Sequence, residues 1–308
     1  MSTLRQALQG YIAMRRGLGY KFNHQAHRLA DFIGFMEARD AKVVTIKLAL
    51  EWATQPPGRH ASWALRLADV RGFARHLLSL EPRTQVPPTG MIAYRGRTRP
   101  YLYTQGEIQA LLTAALALPP ANGLRRWTYH GLFGLLAVSG LRLGEALRLQ
   151  REDVDIERGI LTIHHTKFDK SRWVPLHGTT QKVLLDYAYQ RDQHIVPPRS
   201  PYFFVAERGG RLLPQYVYRV FWRLSRQIGL RSEGDHTGPR LHDLRHSFAV
   251  ATLLDWYRSG QNVDTLLPVL STYLGHSCIR DTYWYLSACP ELMEHAARRL
   301  EQYWEASP

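Results

Sequence analysis

Between Glu81 and Tyr103 the chain carries Pro82, Pro87, Pro88, Gly90, Gly96 and Pro100. Proline fixes φ and removes a backbone donor, so neither a helix nor a central strand runs through such a stretch. The 308 residues are therefore expected to fold as two bodies on either side of this break, each long enough to bury a core. Arg83, Arg95, Arg97 and Arg99 stud the same segment. It reads as a linker over 82–103 whose charge suits a path along a polyanion.

The N-terminal side, residues 1–81, has apolar residues three and four apart in four runs, which predicts a helical domain. The first run ends near Gly17-Leu18-Gly19, the second starts at Asn23 as N-cap, and the third stops at Gln55-Pro56-Pro57-Gly58. The fourth, from His60 to Leu80, places Trp63, Leu67, Val70, Phe73, Leu77 and Leu78 on one face and leaves Arg59, Arg66, Arg71 and Arg75 for the solvent side. From Thr104, with Glu107 at capping-box spacing, helices are expected near 104–117, 124–138, 142–149, 178–193, 214–228, 241–258, 262–273 and 290–304. A small β region is expected at Gly159–His165 and Arg172–Leu176 around the turn Lys167-Phe168-Asp169-Lys170. The fold class is mainly α with a small β-sheet.

Charge narrows the partner. Forty Lys and Arg oppose 26 Asp and Glu, a net of +14. Residues 1–100 hold 16 basic and 6 acidic side chains, a net of +10, and residues 101–308 hold 24 and 20, a net of +4. Such an excess points to nucleic acid, gripped through its phosphates mainly by the N-terminal third. A basic solvated surface is the plainer alternative. No apolar run is long enough to span a membrane, the N-terminus lacks a signal-peptide core, and two cysteines, Cys278 and Cys289, make no disulfide framework. These features predict a soluble, intracellular chain.

Four segments of the second half could carry chemistry. Ser139-Gly140-Leu141-Arg142-Leu143-Gly144-Glu145 sets an arginine at a helix start, where the dipole opposes it and an anionic partner is called for. Glu145 could be that partner in a simple surface pair. Lys167 on the β-turn suits a mobile proton donor, or is an ordinary solvated lysine. Leu241-His242-Asp243-Leu244-Arg245-His246 puts His242 and Arg245 on one helical face, where both could address one phosphate. His242 and His246 are four apart, but the glutamate of a zinc protease motif is missing, so no metal is expected. Last, Leu274-Gly275-His276 is followed by Thr282-Tyr283-Trp284-Tyr285. These aromatics are either core anchors or, beside arginines and histidines, include a nucleophile.

In order, the segments read Gly-Leu-Arg, a lysine on a β-turn, His-x-x-Arg, Leu-Gly-His and a tyrosine nine residues after that histidine. This resembles the tyrosine recombinase (phage integrase) family over most of residues 101–308 and the helical domain before them. The resemblance implies an N-terminal helical, SAM-like core-binding domain over 1–81 and an α/β catalytic domain over 104–308 whose C-terminal helix 290–304, with Leu292, Met293, Ala296, Ala297, Leu300, Tyr303 and Trp304 as an apolar stripe at helical spacing, either docks on a neighbouring protomer or packs on its own domain. It implies Arg142 and Arg245 as phosphate-binding arginines, Lys167 as general acid, His242 as acid/base partner, His276 as hydrogen-bonding stabiliser and Tyr285 as nucleophile, with Glu145 in support. Tyr283 is a decoy, since two residues apart on a helix point about 200° apart. The implied activity is site-specific strand exchange through a 3′-phosphotyrosyl link, without cofactor or metal. The implied partners are double-stranded DNA recombination sites, with four protomers on two sites, alone or with sibling recombinases, in the bacterial cytoplasm at the nucleoid. The Thr282–Ser287 stretch favours a mobile element. A type IB topoisomerase-like enzyme and a non-catalytic accessory subunit on the same scaffold are the alternative readings.

Overall fold

The computed structural model describes residues 3–55, 60–93, 99–164, 171–232, 234–235, 238–286 and 289–305. The chain divides into two units, Met1–Thr98 and Arg99–Pro308.

The first unit is built from α1 (Thr3–Gly17), α2 (Asn23–Glu37), α3 (Ile46–Thr54) and α4 (His60–Leu77). Leu29, Phe32, Ile33, Met36, Trp52, Leu67, Val70 and Phe73 close its core. Three details depart from the sequence reading. Phe22, at φ 48°, holds the N-cap position of α2, and Asn23 is already helical. Helix α4 stops at Leu77, so Leu78 falls outside its apolar face and is exposed. Two of the four arginines assigned to solvent are engaged. The Arg66 guanidinium lies 3.6 Å over the Trp52 ring and donates to the Trp52 carbonyl, while Arg71 donates to the carbonyls of Pro87 and Pro88.

Those last bonds correct the linker as well. Gln85 donates its amide to the Val44 carbonyl, its side chain accepts from Ile46 N, and Val86 and Ile92 pack on the helical core. Residues 82–93 are thus part of the first unit. On the other side, Tyr103 N donates to Ser247 Oγ within the second unit, and residues 94–98 lie outside the described residues.

The second unit runs α5 (Gln105–Leu116), α6 (Arg125–Ser139), α7 (Leu143–Ala146), β1 (Val154–Asp155), β2 (Ile160–Ile163), β3 (Arg172–Pro175), α8 (Gly178–His194), α9 (Pro214–Gln227), α10 (Asp243–Arg258), α11 (Val263–Leu274), α12 (Arg280–Leu286) and α13 (Pro290–Glu305). The expected capping box is formed: Glu107 N donates to Thr104 Oγ1, and Thr104 N to Glu107 Oε2. The predicted helix over 142–149 is a single turn followed by a 3₁₀ turn at Arg151–Asp153. The sheet is antiparallel in the order β1-β2-β3. One core gathers α5, α6, α8, α9 and the sheet. A second joins α10 to α13 through Val250, Leu253, Leu267, Leu270, Tyr285 and Leu292. No described helix is long and apolar enough to cross a membrane.

Candidate active site

The C-terminal end of α11 organises the site. Gly275 ends the helix at φ 68°, and the amides of Gly275 and His276 turn back to the α11 carbonyls of Thr272 and Ser271. The carbonyls of Tyr273, Leu274 and Gly275 then face outward at the negative end of the helix dipole. Three arginines from three other elements cover them. Arg172 Nε of β3 donates to Tyr273 O at 2.7 Å, Arg245 Nη2 of α10 to Leu274 O at 2.7 Å, and both Nη atoms of Arg142 to Gly275 O at 3.2 Å.

Arg142 precedes α7, and Glu145 sits three residues on. The Glu145 carboxylate accepts from Arg142 N at 2.9 Å, Arg142 Nη1 at 3.0 Å, and Arg172 Nη1 and Nη2 at 3.2 and 3.0 Å. The pair envisaged at the surface is therefore largely interior: the Glu145 side chain is 3% exposed. Burial pushes its carboxyl pKa up, but Arg172 and then Arg142 outweigh this and hold it below the ordinary value. Arg245 is almost fully buried and also donates from Nη1 to Gly140 O at 2.6 Å. Burial, and then Arg142, lower its pKa to about 10, opposed by Tyr285 and Glu145. It stays charged at neutral pH.

Tyr285, on α12, is 2% exposed and is hydrogen-bonded to Arg245. Its ring lies 5.9 Å from His276, nearly parallel, and 5.4 Å from His246. Tyr283, two residues earlier, is 50% exposed, as the helical phase requires. His276 Nδ1 shares a 2.8 Å hydrogen bond with Thr282 Oγ1, a buried hydroxyl that fixes the ring plane. His242 stands at the rim, 4.8 Å from His246. Desolvation by its neighbours, and then the charge of Arg245, lower its pKa, which leaves it neutral at neutral pH.

The structure thus brings together Arg142, Glu145, His242, Arg245, His276 and Tyr285. Lys167 lies in 165–170, outside the described residues. Sequence reasoning missed Arg172. Its signal was the strand alternation, because position 172 shares the inward face with Val174, where an arginine is out of pattern. Arg142, Arg172 and Arg245 against Glu145 leave two net positive charges in a partly closed site, an arrangement suited to a bound anion such as a phosphodiester. Among the described residues no group of three His, Cys, Asp or Glu side chains is placed to hold a metal ion.

The sequence model of the phage integrase family matches residues 103–291. The chain belongs to this family, the tyrosine recombinases, and is by that membership a site-specific DNA recombinase. It is 53% identical to y4rB of Sinorhizobium fredii, a protein named as an integrase or recombinase, over 99% of each chain. It is 31% identical to the tyrosine recombinase XerC of Azotobacter vinelandii over 73% of this chain and 68% of that one. Among solved structures, the Tn1549 transposon integrase in complex with transposon right-end DNA has the same fold, with a TM-score of 0.69 over 96% of this chain and 98% of that one at 15% identity.

Proposed function

We propose that this recombinase breaks and rejoins DNA through a covalent link between Tyr285 and a scissile phosphate. The observation that carries the reading is the Tyr285 hydroxyl, held by the buried Arg245 beside a cluster with excess positive charge. The phenolic oxygen attacks phosphorus and forms the new P–O bond. Its proton passes to His242, neutral at the rim, directly or through water. Arg142 and Arg245 neutralise the non-bridging oxygens, and His276 donates to one of them as charge builds. The P–O5′ bond breaks, and the departing oxygen takes a proton from Lys167. A 3′-phosphotyrosyl link remains, and a 5′-hydroxyl from a partner strand reverses the step. Losing one charged donor from such a site typically costs about 10²–10³ in rate.

Strand exchange between two duplexes calls for four protomers on two recombination sites, with α13 as the connecting element. Its first turn buries Leu292 against its own domain, while Met293 is 54% exposed. The side chains of Ala296, Leu300, Tyr303 and Trp304, which complete the apolar stripe read from the sequence, lie outside the described residues. Whole-length similarity to a protein named as an integrase or recombinase supports integration, excision or transposition of a mobile element.

The test is covalent trapping on a nicked suicide substrate cut from DNA flanking the gene. Tyr285→Phe is expected to bind DNA and form no adduct, and Tyr283→Phe to form it normally. An adduct of normal yield from Tyr285→Phe overturns the assignment. Recombination between two defined sites, as against relaxation of any supercoiled plasmid, separates strand exchange from simple nicking and closing.

A further inference from the structure

Arg172 has no part in the chemistry above, yet its side chain makes three described hydrogen bonds within the site, as many as that of Arg142. It sits on the inward face of β3, opposite Ile163 and two residues from the buried Val174, with its side chain 9% exposed. Leucine, isoleucine or valine is the expected occupant there, as at Leu161, Ile163 and Val174. A buried arginine is tolerated only when its donors are paired. Here the Nε donates to the Tyr273 carbonyl, and the planar fork of Nη1 and Nη2 holds both oxygens of Glu145.

The same carboxylate orients Arg142. Its Oε1 accepts from Arg142 Nη1 and its Oε2 from Arg142 N. Two guanidiniums thus share one carboxylate. If Arg172 were neutral, Glu145 would form a one-to-one ion pair with Arg142 and cancel the charge that is needed at the phosphate. With the Arg172 fork in place, the carboxylate is committed to both partners and cannot turn to follow Arg142. One side chain therefore anchors both the Glu145 carboxylate and the end of α11.

We propose that Arg172 is a positioning residue for strand cleavage: through the shared Glu145 carboxylate and the Tyr273 carbonyl it fixes Arg142 and leaves that arginine's charge available to the scissile phosphate. The proposal rests on the reading in which Arg142 engages that phosphate.

The test uses the full-length protein and measures DNA affinity, covalent adduct rate on the suicide substrate and thermal unfolding. Arg172→Gln is expected to bind DNA like the parent and to lose about 10²-fold in adduct rate, the scale of a misplaced catalytic group. Arg172→Lys keeps the charge without the fork and is expected to fall between the two, with folding intact. In a double-mutant cycle, Arg142→Ala with Arg172→Gln is expected to cleave no more slowly than Arg142→Ala alone, because both changes remove one function. A parental rate in Arg172→Lys, or in a folded Arg172→Gln, overturns the proposal. So does a double mutant in which the two losses multiply, which marks Arg172 as a scaffold residue only. Normal cleavage by Arg142→Ala overturns instead the reading on which the proposal rests.

Discussion

Gly275 shows how much a single residue can decide. Its φ of 68° is comfortable only for glycine, and a Cβ built there meets Arg172 Nη1 at 2.6 Å. Gly275→Ala therefore combines about 1–2 kcal/mol of left-handed strain with displacement of Arg172 from its carbonyl and carboxylate partners. A lowered melting temperature together with a reduced adduct rate is the expected outcome, and melting and trapping assays on the same sample check it. His246 supplies a pH dependence. Burial, and then His242, lower its pKa to about 4 from an ordinary 6.5, and its Nδ1 has no hydrogen-bond partner among the described residues. The unfolded chain therefore takes up this proton first as pH falls. Stability is full above about pH 6.5 and is lost progressively down to about pH 4, with His242 shifted in the same direction. Melting curves across that range are expected to slope downward toward acid, and His246→Phe to flatten the slope.

At the scale of elements, most boundaries were legible in the sequence because periodicity and caps are local signals. The Thr104 capping box, the strands around 160–163 and 172–175 and the helix over 178–194 stand within a residue or two of expectation. Misreadings arose where a distant partner intervened. Residues 82–93 look like a linker from their prolines, but they accept the backbone amide of Ile46 in α3 and the guanidinium of Arg71 in α4. Helix α13 reads as one apolar stripe, but tertiary packing divides it, with Leu292 at 0% exposure in its own core and Met293 open. Leu292→Ala is thus expected to cost about 2–5 kcal/mol, as core truncations do. Urea denaturation of the DNA-free protein measures this, and an unchanged midpoint would contradict the burial.

For the whole molecule, charge and site divide the work. The first hundred residues carry +10 of the net +14, and Arg75 stands exposed there. The second unit is nearly balanced overall but has a basic, aromatic face on α9, where Arg219 and Arg223 are exposed beside Tyr216, Tyr218 and Trp222. Both surfaces suit the phosphate backbone. Arg75→Ala and Arg223→Ala are each expected to weaken DNA binding and to reduce the slope of log K against log salt by about 0.9 if each meets one phosphate. The adduct rate at saturating protein is expected to stay unchanged. Titrations at several salt concentrations give the slopes.

The sequence by itself determined the helical character of both units, the small sheet, the excess of positive charge and the order along the chain of the residues that meet in the candidate site. Tertiary structure decided that Glu145 is shared by two guanidiniums and that Arg172 belongs to the site at all. The physical reason is separation along the chain. Arg172 reaches Tyr273 across 101 positions, Arg245 reaches Gly140 across 105 and Arg142 reaches Gly275 across 133. Helical and strand periods fix which way a side chain leaves its own element, and only the packing of those elements fixes which carbonyl or carboxylate it finds.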